Sequence, residues 1–326
     1  MIITRTPLRI SIGGGGTDLP SYYEAFGGFV ISAAINKHVY ITVNRTFRPG
    51  YFIKYSSTET ATDIDEIQHP IVREAVRRME IAAETEIVSI ADVPAGTGLG
   101  SSGSFTVGLL HALHAHRRMH VGTSALAHMA NDLEMNGLGE PCGKQDHYIA
   151  AYGGIMCQTY HPDGTVHMAR LEIDETTRRR LSEGLMLFFT GYSRTAADVL
   201  VDQKTRSESG DTAMLENLHF IKDLGQQIKG ALENGQPEGF AELMHAHWLH
   251  KKERSGNISN PRINQLYDEA REHGAIGGKL VGAGGGGFLM FYTRDRERLR
   301  AAMTGHGLTE MDFTFDDDGS IVQLRS

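Results

Sequence analysis

The residues best suited to chemistry are concentrated in one glycine- and serine-rich stretch near residue 100. Residues 94–104 read Pro-Ala-Gly-Thr-Gly-Leu-Gly-Ser-Ser-Gly-Ser, with four glycines and three serines in eleven positions. A strand-like segment over residues 86–93 precedes the stretch, and an amphipathic run with helical spacing begins at Phe105. Glycines let a backbone approach an anion closely, and a helix N-terminus carries about half a positive charge. The stretch therefore predicts a phosphate-binding loop whose serine hydroxyls can bond phosphate oxygens or a metal ion.

Other kinds of loop share parts of this pattern. Gly98, Gly100 and Gly103 fit the dinucleotide-binding pattern G-x-G-x-x-G. That match is weak, because no convincing acidic partner follows about twenty residues later to close a Rossmann unit. Gly143-Lys144 lacks the upstream glycine of a Walker A loop, and the protein-kinase sequences H-R-D and D-F-G are absent. An ordinary turn remains the alternative at this point.

Further groups of residues could complete a phosphate site. Four glycines at 13–16 leave the backbone open to a bulky neighbour, and Asp18 follows where it could accept hydrogen bonds from hydroxyls. Glu134 lies near the end of a predicted helix, Asp146 begins another, and a second glycine run occupies residues 282–287. From the residues alone, a flexible hairpin tip at 13–16 and a solvated helix carboxylate at Glu134 stay open.

Composition limits the class of protein. The chain has 326 residues, of which 40% are apolar and 22% charged, as is usual for globular proteins with a large core. A net charge of −8 argues against nucleic acid as the main partner. Cys142 and Cys157 give no disulfide framework, and neither a secretory h-region nor an apolar run of membrane-spanning length occurs. We therefore expect a cytoplasmic protein that binds neither nucleic acid nor membranes.

The pattern of predicted elements changes near residue 165. Residues 1–165 begin with strand-like segments, and helices are predicted both before and after the glycine- and serine-rich stretch. After residue 165, long helices are predicted between residues 211 and 273. We therefore expect two units, residues 1–165 and 166–326, with the last segment left open to packing back on the first.

Three motifs together resemble the signatures of the GHMP small-molecule kinases, a family that includes galactokinase and the homoserine and mevalonate kinases. Residues 94–102 resemble the second signature, and the run from Lys279 to Gly287 resembles the third. Thr6-Pro7-Leu8-Arg9 with Gly16-Thr17-Asp18 resembles the first. Because the order and spacing also agree, the similarity spans nearly the whole chain. It implies a two-lobed α+β fold with a mixed α/β N-terminal lobe, a ferredoxin-like C-terminal lobe and the active site between them.

The resemblance also implies an ATP- and Mg²⁺-dependent kinase, with roles assigned residue by residue. Asp146 would be the catalytic base, and Arg9 would stabilise the developing negative charge. Ser102 and Glu134 would hold Mg²⁺, an ion that prefers oxygen ligands. ATP would bind against Pro94, Gly96, Thr97, Gly98, Leu99, Gly100, Ser101, Ser102 and Gly103. The substrate would bind against Gly15, Gly16, Thr17, Asp18, Gly282, Ala283, Gly284 and Gly285.

The resemblance extends to a branch of the family. Residues 13–20, together with Gly143-Lys144-Gln145-Asp146, resemble the kinases that phosphorylate the anomeric hydroxyl of D-glycero-D-manno-heptose 7-phosphate to the 1,7-bisphosphate in nucleotide-activated heptose synthesis. Galactokinases carry Gly-Glu-His-Thr-Asp where this chain has Gly-Gly-Gly-Thr-Asp, which argues against galactose.

Several alternatives stay open at this point. They are an anomeric kinase of a free fucose- or galactose-like sugar, a catalytically silent regulator that binds sugar and ATP, and a related ATP-dependent decarboxylase. Arg194 and Lys204 are candidates for contacting a distal phosphate of the substrate. A homodimer is also left open.

Overall fold

The chain folds into two β-sheets with helices packed against them. The structure, a computed structural model, describes residues 1–191 and 197–325. Its strands are β1 (Ile2–Gly13), β2 (Gly28–Arg45), β3 (Tyr51–Lys54), β4 (Thr58–Ala61), β5 (Thr85–Ala91), β6 (Ile155–Tyr160), β7 (Val166–Arg170), β8 (Leu185–Phe189), β9 (Ala275–Leu280), β10 (Phe288–Thr293), β11 (Thr309–Met311) and β12 (Ile321–Arg325). Its α-helices are α1 (Pro20–Phe26), α2 (Pro70–Arg78), α3 (Ser101–His116), α4 (Thr123–Asp132), α5 (Gln145–Tyr152), α6 (Glu175–Gly184), α7 (Ala197–Glu208), α8 (Thr212–Glu233), α9 (Pro237–Arg254), α10 (Pro261–Glu272) and α11 (Arg296–Gly305).

The first sheet is organised around β2, a strand of 18 residues rich in β-branched and aromatic side chains. The strand order is β12-β1-β2-β5-β3-β4, and β6 continues from β2 to β7. One half of β2 pairs with β6 and the other half with β5, while β1 runs along most of its length. The pairing of β3 with β5 is parallel, which makes the sheet mixed. Because β7 and β12 belong to this sheet, it takes strands from both sides of residue 165.

The second sheet has the order β11-β8-β10-β9, and its neighbouring strands are antiparallel. Along the chain it reads strand, helices, strand, strand, helix, strand, which is the ferredoxin-like arrangement. All residues of β10 are buried, as expected for a strand covered on both faces. The two-lobed α+β fold expected from the sequence is confirmed.

Two helices connect this framework to the functional loops. Helix α3 packs its glycine face on the first sheet, where the backbone carbonyl of Gly108 accepts a hydrogen bond of 3.0 Å from the Thr4 hydroxyl. Helix α9 packs on β9 at Gly277, where a side chain would collide with the carbonyl of Ala241. These close approaches hold α3 against the first sheet and α9 against the second. Within the described ranges, no helix is both long and apolar enough to cross a lipid bilayer.

Candidate active site

One cavity of about 1100 Å³ collects the three glycine-rich segments. Its lining includes Gly15 and Gly16 from the first segment, most of 94–103 from the second, and Gly282 to Gly284 from the third. The second and third segments touch through their backbones, since a side chain on Gly282 would lie 2.7 Å from the Cα of Gly98. Both glycines have positive φ, 84° at Gly98 and 79° at Gly282, a region that favours glycine. Backbone geometry at this contact therefore explains why both loops carry glycine.

The loop before α3 presents free backbone donors to the cavity. Helix α3 begins at Ser101, and its N-cap, Gly100, is left-handed and supplies no side-chain cap. The first intrahelical bond runs from the Ser104 N–H to the Gly100 carbonyl, at 3.0 Å. The preceding N–H groups of the first turn lack intrahelical partners by helix geometry. Such donors, together with the helix dipole, favour an anion.

Arg9 joins this loop to Asp146. Its Nε and Nη2 donate to the two carboxylate oxygens of Asp146, each at 2.8 Å, and its Nη1 donates to the carbonyl of Gly98. The backbone N–H of Arg9 also bonds the carbonyl of Leu99, at 2.9 Å. A planar guanidinium suits this two-point contact, which a lysine could not reproduce. The arginine therefore fixes the aspartate relative to the phosphate loop.

Gly103 brings the two helix N-termini together. A Cβ at this position would lie 2.8 Å from the Cβ of Asp146 and 3.1 Å from the backbone nitrogen of His147. The glycine is inside α3, where φ is ordinary, so the reason for it is space rather than backbone freedom. The absence of a side chain lets the start of α5 lie against the start of α3.

Glu134 is 4% exposed, so the solvated-carboxylate interpretation is wrong. It lies in a π-helical segment, Leu133–Gly137, a local widening that is often found at functional sites. Its oxygens accept hydrogen bonds from Ser102 Oγ at 2.9 Å and from Thr106 Oγ1 at 2.5 Å, and His147 Nε2 lies 3.1 Å away. Burial alone would raise the pKa of Glu134, but the charge of His147 and these hydrogen bonds lower it instead.

Ser102 and Glu134 form an oxygen pair that fits Mg²⁺. Neighbouring ligands in a Mg²⁺ octahedron lie about 2.9 Å apart, and the serine Oγ and Glu134 Oε2 are separated by 2.9 Å. Within the described part of the chain, no group of three His, Cys, Asp or Glu side chains could hold a metal. A cation at this pair would therefore need water and phosphate oxygens to fill its shell, as Mg²⁺ commonly does.

The carboxylate of Asp18 is held by two backbone N–H groups from different segments. It accepts hydrogen bonds from the N–H of Gly16 at 3.3 Å and of Gln145 at 3.1 Å. Burial, followed by the charge of Asp146, raises the pKa of Asp18 against the effect of these hydrogen bonds. Asp18 and Asp146 both line the cavity, and the charge of Asp146 acts on the carboxylate of Asp18.

Most residues predicted for the site line this cavity, but Thr17, Thr97, Leu99 and Gly285 do not. Thr17 is fully buried, and its hydroxyl bonds the carbonyls of Gly14 and Phe29. The Thr97 hydroxyl bonds the carbonyl of Pro94, and the Leu99 side chain lies in the core. The Gly285 N–H bonds the carbonyl of Ile258. These four residues shape the loops and do not line the cavity.

Of the two residues considered for a distal phosphate, only Lys204 lies within the described residues. Lys204 is exposed, lies 4.0 Å from Glu208 and is not part of the lining, so its assignment is corrected. Arg194 lies outside the described residues.

Sequence reasoning missed a group of basic residues contributed by the second lobe. Lys251 and Arg254 of α9 and Lys279 of β9 line the cavity, together with His247. The spacing of 247, 251 and 254 places three basic residues on one face of a helix. This spacing could be recognised in the sequence, but the sequence near these residues does not show that this face of the helix lines the cavity.

Comparison with known proteins agrees with this geometry. The family model "GHMP kinases N terminal domain" matches residues 70–154, and "GHMP kinases C terminal" matches residues 228–307. The chain belongs to the GHMP kinase family. It is therefore an ATP-dependent phosphotransferase that acts on an alcohol group.

Several relatives are similar over almost their whole length. The D-glycero-alpha-D-manno-heptose 7-phosphate kinase of Campylobacter jejuni is 28% identical, with 98% of this chain and 97% of the relative covered. The crystal structure of a putative sugar kinase from the same species superposes with a TM-score of 0.77 at 26% identity, covering 98% and 97% of the two chains. A D-glycero-D-manno-heptose 1-phosphate kinase from Bacteroides thetaiotaomicron shares the fold, with a TM-score of 0.82, 24% identity and complete coverage of both chains.

The contact at Gly103 gives a testable prediction. We expect Gly103→Ala to lower the free energy of unfolding by about 1–3 kcal/mol, because the added methyl group overpacks the contact between α3 and α5. Gly230→Ala in α8 is the matched control, since nothing lies within 4 Å of its added Cβ. Urea unfolding followed by circular dichroism measures both. If Gly103→Ala were as stable as the control, the two helix N-termini would not pack as closely as described.

Proposed function

We propose that this sugar kinase transfers the γ-phosphoryl group of ATP to the anomeric hydroxyl of D-glycero-D-manno-heptose 7-phosphate and forms the 1,7-bisphosphate. The observation that carries the proposal is Asp146, held by two hydrogen bonds from Arg9 directly beside a glycine-rich loop at a helix N-terminus. The similarity to the Campylobacter jejuni heptose 7-phosphate kinase supports the choice of substrate. A cytoplasmic setting, where ATP and sugar phosphates are available, belongs to the same proposal.

The reaction requires an acceptor oxygen, a proton acceptor and neutralisation of charge. The anomeric oxygen forms a bond to the γ-phosphorus as the bond to the β,γ-bridging oxygen breaks, and ADP leaves with that oxygen. Asp146 receives the hydroxyl proton or orients the hydroxyl for attack. Arg9 lies between Asp146 and the phosphate loop, where its charge stabilises the negative charge that develops on the transferred group.

The phosphate loop and α3 would hold the nucleotide phosphates through backbone N–H groups. Ser102 and Glu134 would hold Mg²⁺, whose charge offsets that of the β- and γ-phosphates. An apolar part of the same cavity, with Tyr55, His69 and Phe105 in its lining, offers a surface for the adenine ring. His69 already stacks on Phe105, with ring centroids 4.9 Å apart.

The first-lobe loop at Gly15 and Gly16 would hold the sugar. Asp18 points into the cavity beside this loop and would accept hydrogen bonds from sugar hydroxyls. The catalytically silent alternative gains no support here, because Asp146, the glycine-rich loop and Glu134, the groups that the proposal needs for catalysis, all line one cavity. A kinase of a free sugar would use the same catalytic groups and would differ from the proposal in the sugar it accepts, which carries no phosphate at its distal end.

A panel of acceptors tests the substrate. We expect kcat/KM for D-glycero-D-manno-heptose 7-phosphate to exceed that for the unphosphorylated heptose, fucose, galactose and mannose by at least about 100-fold, because binding of the remote phosphate positions the reacting end. Coupled ADP release measures the rates, and phosphorus NMR shows whether the new phosphate couples to the anomeric proton. Comparable values for fucose or galactose would favour a free-sugar kinase. No ADP with any acceptor would favour a silent regulator.

The metal pair gives a second test. We expect Ser102→Ala to lower kcat by about 10²–10³, the usual effect of removing one preorganised charge contact, and to raise the Mg²⁺ concentration needed for half-maximal rate. The exposed Ser124→Ala in α4 serves as the control and should keep both values. Turnover across a Mg²⁺ titration is the measurement. Full kcat of Ser102→Ala at low Mg²⁺ would remove the serine from the metal site.

A further inference from the structure

In the part of the chain that the structure describes, three cations of the second lobe line the cavity and form no salt bridge with a carboxylate. We call Lys251 and Arg254 of α9 and Lys279 of β9 the cation cluster. Their exposures are 6%, 5% and 2%, so each is almost fully removed from bulk water. Buried cations are normally paired with anions, because burying an isolated charge is costly. The cluster therefore needs an explanation beyond stability.

The groups that the cluster bonds within the described residues are neutral. The Lys251 Nζ donates to the carbonyls of Leu280 and Gly282, at 2.9 and 2.5 Å, and the Lys279 Nζ donates to the carbonyl of Ile12 at 3.0 Å. Arg254 bonds the carbonyl of Gly15 at 3.3 Å and side-chain amide oxygens at 3.1 and 3.2 Å. These partners orient the three cations without neutralising them.

The cations also repel one another. Burial, followed by the charges of Arg254 and Arg9, lowers the pKa of Lys251 to about 7. Burial lowers the pKa of Arg254 to about 10, although the nearby charge of Asp18 acts to raise it. Burial, followed by the charge of Lys251, lowers the pKa of Lys279. An anion bound among them would relieve both the loss of solvation and the mutual repulsion.

Unused polar groups lie beside Arg254. Ser11 and Gln145 are 7% and 6% exposed and line the cavity, yet Ser11 Oγ and Gln145 Nε2 have no hydrogen-bond partner. Ser11 Oγ would lie 3.2 Å, and Gln145 Oε1 4.0 Å, from a Cβ placed on Gly15, the residue whose carbonyl Arg254 bonds. The side chains of Ser11 and Gln145, each with an atom that has no hydrogen-bond partner, and the guanidinium of Arg254 thus all lie beside the loop proposed to hold the sugar.

We propose that the cation cluster, with Ser11 and Gln145, binds the phosphate monoester of a phosphorylated sugar substrate. This inference rests on the sugar kinase function proposed above and assigns the residues that select a sugar phosphate over a free sugar. The γ-phosphate of ATP shares the same chemistry, but backbone N–H groups of the phosphate loop and Arg9 would provide its donors, and Ser102 and Glu134 would hold the Mg²⁺ that accompanies it. Arg254, in contrast, faces the Gly15–Gly16 loop, where the sugar lies in the proposed function.

Phosphate binding without turnover tests the cluster directly. Inorganic phosphate is titrated calorimetrically into the full chain, with and without the non-hydrolysable ATP analogue AMPPNP and Mg²⁺. We expect phosphate to bind in both cases, and Lys251→Met and Arg254→Met each to weaken binding about 10- to 100-fold through loss of a charge-assisted contact. Displacement of phosphate by AMPPNP, or equal binding by the variants, would overturn the proposal.

Matched variants separate binding from folding. Lys252→Met removes a neighbouring lysine of α9 that is not part of the cavity lining, and it should bind phosphate like the unmodified chain. Circular dichroism checks that Lys251→Met is folded at the titration temperature, because the substitution removes a buried charge and also its hydrogen bonds to the carbonyls of Leu280 and Gly282. Should Arg254→Met fail to fold, Lys251→Met and the conservative Arg254→Lys decide the outcome. Loss of phosphate binding in Lys252→Met to the same extent would contradict the assignment.

Kinetics then connect the cluster to the substrate. For Arg254→Met, we expect the preference for heptose 7-phosphate over unphosphorylated heptose, measured as the ratio of kcat/KM values, to fall about 10- to 100-fold, mainly through KM. KM for ATP should stay unchanged. An unchanged preference would overturn the proposal. If neither sugar is a substrate, the proposed function fails, while the phosphate titration still decides whether the cluster binds an anion.

Discussion

The hydrogen-bonded ion pair between Arg9 and Asp146 is the interaction on which the candidate site depends. The guanidinium of Arg9 donates to both carboxylate oxygens of Asp146 and to the carbonyl of Gly98. The backbone N–H of Arg9 donates to the carbonyl of Leu99. Arg9 thereby ties β1, the phosphate loop and the start of α5 into one unit. Gly100 and Gly103 leave the space that this unit requires, since side chains there would press on Arg9 and Asp146. The placement of Asp146 beside the glycine-rich loop thus follows from the side chain of Arg9 and from the absence of side chains at Gly100 and Gly103.

Charge is divided between the lobes. The first lobe supplies the carboxylates of Asp18, Glu134 and Asp146, whereas the second supplies the cation cluster. The chain as a whole has a net charge of −8, yet its cavity contains buried cations that form no salt bridge with a carboxylate among residues 1–191 and 197–325. A substrate with a phosphate at one end and a reactive hydroxyl at the other matches this division. The net charge of the chain therefore says little about the charge of its ligand, whereas the buried cations of the cavity indicate an anionic group.

The sequence predicted the parts of the site that are local in the chain. The phosphate loop and the start of α3 could be recognised because glycines, serines and helical spacing are adjacent. The pairing of Ser102 with Glu134 came only from the family resemblance, because 32 positions separate them. The two-point contact of Arg9 spans 137 positions and depends on how β1 and α5 pack. The cation cluster was missed because helical spacing shows which residues share one face of α9, but does not show which part of the protein that face contacts. Thr17 and Leu99 show the converse: they lie within signature motifs, but their side chains support the loops from behind.

A double-mutant cycle on Arg9 and Asp146 tests this account most directly. Single-turnover rates at saturating ATP and sugar phosphate are compared for the unmodified chain, Arg9→Met, Asp146→Asn and the double variant. If the pair acts as one unit, each single change lowers the rate by about 10²–10⁴, and the double variant is about as slow as the slower single variant. If the two losses multiplied in the double variant, the residues would act independently. That result would contradict the central role given to their ion pair.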